Sequence, residues 1–291
     1  MQRDKIFEKV TNSVIELLEK YEKEGRMLSW CKTWKSEFPQ NLVSQKNYRG
    51  VNTITTSLTC LINGWERPLF LTFNQVRKLK GKVKKGSHSI PIIFTELRKK
   101  ETGEFDENND PVTKNYLVYK LFSVFNVSQT EGLENHIPEL VVKEHKPIQE
   151  AERIVKNMQK CPEIKISGQR CFYNPVKDFV GMPKKELFTE VEEFYSALFH
   201  ELVHSTGHKS RLNRPEVMNK TMFGDTDYSQ EELTAELGAS YLCAVLGIEQ
   251  KTLENSTAYI QGWLTALKND KNLLIKSASL SQKAVNYILG D

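Results

Sequence analysis

The chain has 291 residues, 39% of them hydrophobic and 27% charged, which is the composition of a globular protein with room for two domains. No apolar run approaches the ~18 residues that a bilayer-spanning helix needs, and the charged N-terminus lacks the apolar block of a secretory signal, so a cytoplasmic protein without a membrane partner is expected. The net charge of +4 is uneven: residues 1–145 hold 23 basic and 18 acidic side chains and the remainder 18 and 19, so the two halves are expected to meet different partners.

In chain order, 4–25 carries the period of an amphipathic helix that stops at Gly25. Residues 39–53 read as loop and turn, with Gly50 at a special backbone position. A second helix is expected over 54–63, broken at Asn63-Gly64, and a short one from Phe73 to Leu79. The stretches 89–97 and 116–127 read as strands. Between them the polar, acidic 101–114 is expected to be an exposed hairpin loop without contacts. Residues 128–147 are polar with two prolines and hold the expected boundary between domains at 1–135 and 136–291. Beyond it, 148–160 is helical, and EIKISG, RCFYNP and DFVGMP are three short strands separated by turns. Long helices follow over 190–207 and 230–246, and two more close the chain. Strands followed by helices indicate an α+β fold of two domains, the first a mixed α/β unit.

Within the 190–207 helix lies His200-Glu201-Leu202-Val203-His204. Residues four apart share a helix face, so the two imidazoles project together, while Val191, Tyr195, Leu198 and Leu202 centre on the opposite side. Two neutral imidazole nitrogens one turn apart can reach one zinc ion at about 2.0–2.1 Å. Glu201 cannot join them but can face a water in the open fourth position, act as its base, and pass the proton to a leaving amine. Thr189 and Glu192 have the spacing of a capping box at the start of this helix.

A third ligand has two sources. The extended HExxHxxGxxH pattern is rejected, because Gly207 fits but its last position is Ser210 and His208 comes two residues early. His208 reads instead as a turn or helix-end residue. The alternative is a glutamate from SQEELTAELGASYLC, where Glu232 and Glu236 are one turn apart and Ala235, Ala239, Ser240 and Cys243 form a small-residue stripe that permits close helix approach. Glu232 is the preferred ligand. Glu236 is the alternative, or the acceptor for the other nitrogen of a ligand histidine. Ser229 with Glu232 also has the spacing of a helix cap. The five cysteines (Cys31, Cys60, Cys161, Cys171, Cys243) are scattered, with no CxxC pair, and read as free thiols rather than ligands.

In the N-terminal half, no acidic residue occurs from Arg67 to Thr95, whereas Arg77, Lys78, Lys82, Lys84 and Lys85 do. Tyr48, Trp65, Phe70, Phe73 and Phe94 lie in or near this run. Basic side chains for phosphates with aromatic faces for bases suit a nucleic-acid single strand. Trp65, Phe70 and Phe73 read as core, and Tyr48, Arg49 and Asn52, beside the Gly50 turn, as further contacts.

HELVHSTGHKSRLNR followed by YSQEELTAELGASYL resembles the zincin-like metallopeptidase domain of ArdC-type antirestriction proteins, with a third-ligand segment of gluzincin type. Pro39-Gln40-Asn41, Asn47 to Asn52, Leu71 to Gln75, Gly81 to Gly86 and Phe125-Asn126-Val127 resemble the single-stranded DNA-binding domain of the same family. The resemblance implies a plasmid or mobile-element protein that binds single-stranded DNA, carries one zinc ion and peptidase chemistry, and protects incoming DNA from host restriction, its protein substrate being a host protein such as the restriction enzyme. The alternative is a single-stranded DNA-binding protein whose metal site is structural or vestigial.

Overall fold

The computed structural model describes residues 2–24, 38–105, 107, 111–139, 147–218, 226–248 and 257–291. Cys31 and the 140–146 part of the expected boundary lie outside them. The fold is α+β, as the order of elements implies. The N-terminal half contains helix α1 (Gln2–Lys23), strand β1 (Gln40–Asn41), α2 (Val51–Asn63), β2 (Leu69–Thr72), α3 (Phe73–Lys78), β3 (Lys82–Val83), β4 (Ile90–Phe105), β5 (Pro111–Asn126) and β6 (Thr130–Glu131).

Helix α2 is bracketed by glycines. Gly50 at φ +56° starts it and Gly64 at φ +64° ends it, a left-handed backbone that a side chain would strain. Its interior is almost wholly buried despite many threonines, because Thr55, Thr56 and Thr59 return their hydroxyls to carbonyls one turn back at 2.7–2.9 Å. The main sheet has the order β1-β2-β5-β4, parallel at β1–β2 and antiparallel elsewhere. β5 meets β2 only at Val124–Asn126, so most of the β4–β5 pair is a two-stranded ribbon reaching away from the sheet. The strands pair as far as Glu101 with Thr113 and, after an irregularity, Phe105 with Pro111. Much of 101–114 is therefore strand and not the loop expected from its polarity. A ribbon wetted on both faces shows no alternation of apolar and polar residues to betray it.

The C-terminal half contains α4 (Pro147–Asn157), β7 (Glu163–Ile166), β8 (Phe172–Asn174), β9 (Phe179–Met182), α5 (Val191–Thr206), α6 (Pro215–Met218), α7 (Thr226–Leu246), α8 (Thr257–Asn269) and α9 (Leu273–Leu289). Its sheet has the order β7-β9-β8. β8 and β9 both pack on α5, whose other main neighbour is α7. The close approach of α5 and α7 rests on Gly238, where a β-carbon would fall 2.7 Å from Val203 Cγ2. The expected capping box of α5 is absent: its N-cap is Glu190 without a side-chain bond, and Glu193 accepts from the Thr189 N–H at 3.2 Å. α7 begins at Thr226, so Ser229 lies inside the helix and not at its N-cap position.

The halves are not packed separately. One core cluster combines Phe7, Val10, Val14 and Leu18 of α1, Ile54 and Leu58 of α2 and Ile93 of β4 with Leu233, Leu237, Leu264, Leu267 and Leu274 of α7 to α9. Thr53 shares a buried hydrogen bond with Tyr241, whose hydroxyl also donates to the Tyr48 carbonyl at 3.3 Å. Gln282 accepts from the Gly50 N–H at 3.0 Å.

Candidate metal centre

α5 presents His200 and His204 on the face toward α7. Their Nε2 atoms are 3.1 Å apart and the rings meet at 76°. From α7, Glu232 sets its two carboxylate oxygens 3.6 Å from His200 Nε2 and 3.6 Å from His204 Nε2. One donor atom from each of these residues lies within 4.8 Å of the others. Glu236, one turn on, places Oε2 3.6 Å from His200 Nδ1. Glu201 is buried on the adjoining side of α5.

The tautomer of His204 follows from Glu231, which the sequence reading did not single out. Its Oε1 is 3.0 Å from His204 Nδ1 and, as a carboxylate, can only accept. Nδ1 therefore carries the proton and Nε2 presents its lone pair to the centre. Glu231 is held in turn by buried Arg214, through Nε to Oε2 at 2.9 Å and Nη2 to Oε1 at 2.6 Å. Arg214 also donates to Thr206 Oγ1 at 2.6 Å and the Val203 carbonyl at 2.8 Å, so one guanidinium fixes both the carboxylate and the end of α5. Gly207 makes room for it, since a β-carbon there would lie 3.1 Å from Arg214 Nη2 and collide with Val217 Cγ2.

Electrostatics favour a cation here. Burial alone would lower the pKa of His200, yet Glu232, Glu236 and Glu201 outweigh it and raise the pKa well above the ordinary 6.5. The two Nε2 atoms, 3.1 Å apart, are close enough to share a proton or a metal ion. Two imidazoles and a carboxylate form the donor set of a hydrolytic metal site, and the residues present fit a divalent ion. Cys171, just before β8, senses the charge of Glu201 and His200. Burial, with the charge of Glu201, pushes its thiol up to about 11. His208 lies apart from the ligands. Its Nδ1 meets Ser210 Oγ at 2.8 Å, and Arg211 bonds Asp178, the Lys160 carbonyl at 2.9 Å and the Ser205 carbonyl at 2.6 Å, latching the turn after α5 to the sheet.

Residues 149–280 match the zincin-like metallopeptidase family, and residues 4–125 match the N-terminal domain of anti-restriction factor ArdC. The Mn(II)-bound crystal structure of the antirestriction protein ArdC from plasmid R388 is 30% identical, with a TM-score of 0.70, over 98% of this chain and 97% of that one. The chain belongs to the ArdC antirestriction family. The metal-free ArdC crystal structure matches with 31% identity and the same TM-score of 0.70, over 97% of this chain and 96% of that one. The ArdC-like sequence also resembles the protein y4eC of Sinorhizobium fredii, 28% identical over 97% of this chain and 91% of its relative. DNA primase TraC of Escherichia coli is 28% identical over 89% of this chain, which spans 25% of that longer protein.

In the ArdC-like N-terminal half, the residues expected at a DNA surface divide. Arg49, Arg77, Lys78, Lys82, Lys84 and Lys85 are exposed, with the Lys84 ammonium donating to the Ser128 carbonyl at 2.9 Å. Tyr48 is not accessible. It is 9% exposed, packs edge-on against Phe70, and burial pushes its phenol up to about 12. The Asn52 side chain is committed to the open edge of β4, donating to the Ile93 carbonyl at 2.7 Å and accepting its N–H at 2.8 Å. Both are corrected from contacts to scaffold, because an aromatic ring and an amide beside a glycine turn serve either purpose equally well. Phe73 is corrected the other way: read as core, it is 51% exposed.

Proposed function

We propose that this ArdC-family protein protects mobile-element DNA from host restriction by two means: its N-terminal half binds single-stranded DNA, and its C-terminal half is a zinc peptidase acting on a host protein such as the restriction enzyme. The observation that carries the peptidase reading is the convergence of His200, His204 and Glu232 with buried Glu201 on the adjoining side of the same turn. A divalent ion held by those three residues would polarise a carbonyl and acidify a water. Glu201 takes the proton of the attacking water and returns it to the departing amine. Glu231 keeps the proton of His204 on Nδ1, and Glu236 faces the corresponding nitrogen of His200. β8 ends its sheet and packs on α5, so an extended peptide added to that edge would run close to Glu201.

The DNA reading draws support from the exposed basic residues, from the matched ArdC N-terminal domain and from the likeness to a segment of a DNA primase. We assign phosphate contacts to Arg49, Arg77, Lys78, Lys82, Lys84 and Lys85. The test combines purified protein, one zinc equivalent and a purified restriction endonuclease, followed by intact-mass analysis. Wild type is expected to cleave it and Glu201→Gln to retain metal without cleaving. If neither cleaves any restriction enzyme opposed in vivo, while both protect DNA equally, the binding-only alternative replaces the peptidase reading.

A further inference from the structure

The single-strand reading asks for accessible aromatic faces, and burial removes Tyr48 and Phe70 from that role. The β4–β5 ribbon offers them elsewhere. Residues directly opposite in an antiparallel pair share a face, and so do residues two apart along each strand. One face therefore bears Phe122 opposite Ile92, Phe94 opposite Lys120, Glu96 opposite Val118, Arg98 opposite Tyr116 and Lys100 opposite Lys114. Toward the sheet this face joins the small core of Ile90, Ile92 and Val124, and then it opens to solvent. Phe94 is 53% exposed, Phe122 42% and Tyr116 44%. Phe94 and Phe122 meet edge to face at 5.9 Å, each bracing the other so that a ring face stays presented. The opposite face, with Ile93, Tyr119 and Leu121, is occupied near its base by the core built on α1.

We propose that this open ribbon face is a stacking surface for the bases of single-stranded DNA. The inference rests on the single-strand reading above and supplies the aromatic part that the basic loop lacks. Charge selects the occupant. Over the paired positions from Ile92 and Phe122 to Lys100 and Lys114, Arg98, Lys100, Lys114 and Lys120 stand against one carboxylate, Glu96, which Arg98 contacts at 3.1 Å and Lys120 at 2.6 Å. Exposed rings among excess cations suit an unpaired strand, whose bases can splay onto aromatic faces, and not a duplex, which keeps its base faces stacked.

The test is equilibrium binding of a fluorescein-labelled oligothymidylate, and of the same label in a duplex, to the full zinc-loaded chain at several salt concentrations. Phe94→Ala with Phe122→Ala is expected to weaken single-strand binding at least about fivefold for each platform lost, with the salt slope and duplex binding unchanged. Lys82, Lys84 and Lys85→Ala should instead flatten the slope. Glu96→Gln, which frees two cations, should tighten binding and steepen the slope. Phe94→Trp should give indole fluorescence that the oligonucleotide quenches. Unchanged affinity in the double alanine variant, with its zinc content intact, overturns the ribbon assignment. Equal losses for single strand and duplex also overturn it. So does loss of protein cleavage with DNA binding preserved, which would make the ribbon a protein dock. Failure of the wild type to bind the oligonucleotide at all overturns the single-strand reading itself.

Discussion

Glu232 and Glu236 differ in what they can reach. Glu232 spans both Nε2 atoms at 3.6 Å, whereas Glu236 stands 3.6 Å from Nδ1 of His200. Glu232→Ala is therefore expected to lose most bound zinc by elemental analysis, and Glu236→Ala to keep it with affinity lowered by roughly 10–100-fold. Zinc retained in Glu232→Ala would move the ligand role to Glu236. Glu231 has its own signature in acid. Burial would raise its pKa from the ordinary 4.5, but His204 and Arg214 prevail and lower it. A depressed carboxylate contributes stability that is full above its ordinary pKa and is lost as pH falls through the depressed folded value. Acid melts of the metal-free protein should show this loss below about pH 4.5, and it should be blunted in Glu231→Gln. The His-Glu-Leu-Val-His turn was legible because helix periodicity alone places both imidazoles together. Glu231 and Arg214 were not: charged residues are mostly exposed, and only the fold reveals two that are buried against each other.

Among the elements, the α5–α7 contact decides the geometry of the candidate centre, because α5 carries His200 and His204 and α7 carries Glu232. The small-residue stripe on α7 was readable, and Ala235, Ala239, Ser240 and Cys243 are all buried. Gly238, where a β-carbon would collide with Val203, was not, since a glycine inside a helix gives no sign of which side chain it admits. Gly238→Ala sets a β-carbon against Val203, a stiff β-branched side chain, and is expected to cost about 1–3 kcal/mol. It should also lower zinc affinity by shifting Glu232 away from the histidines. Adding Val203→Ala should leave the double variant less destabilised than the sum of the single changes, as read from denaturant melts and chelator competition. Asn41 and Gln75 exchange amide hydrogen bonds at 3.0 and 3.1 Å, and Asn126 caps the turn after β5 while donating to the Arg67 carbonyl at 2.8 Å. Residues that mark the family in sequence here hold strands and turns in place, so a motif located the domain without locating its surface.

Over the whole molecule, the sequence suggested two units because polarity and prolines mark the stretch between them, but composition along a chain does not report which helices later pack together. α1, from the far end of the chain, lies against α8 and shares a core with the helix that carries Glu232. Leu233 and Leu237, next to Glu232 and Glu236, are buried in that shared cluster. The ArdC-type N-terminal half and the half that carries His200, His204 and Glu232 should therefore unfold together. In scanning calorimetry the protein is expected to melt in one transition, raised as a whole by zinc, because a ligand that binds only the folded state stabilises everything that unfolds with its site. Leu18→Ala, a fully buried change in α1 distant in sequence from the centre, should cost about 2–5 kcal/mol and lower the melting of the zinc-loaded form by the same transition. Two separate endotherms, of which zinc moves only one, would show that the shared core does not couple the halves. A single shifted endotherm would mean that occupancy of the metal centre also stabilises the base of the β4–β5 ribbon, since Ile93 and Tyr119 belong to the same packed cluster.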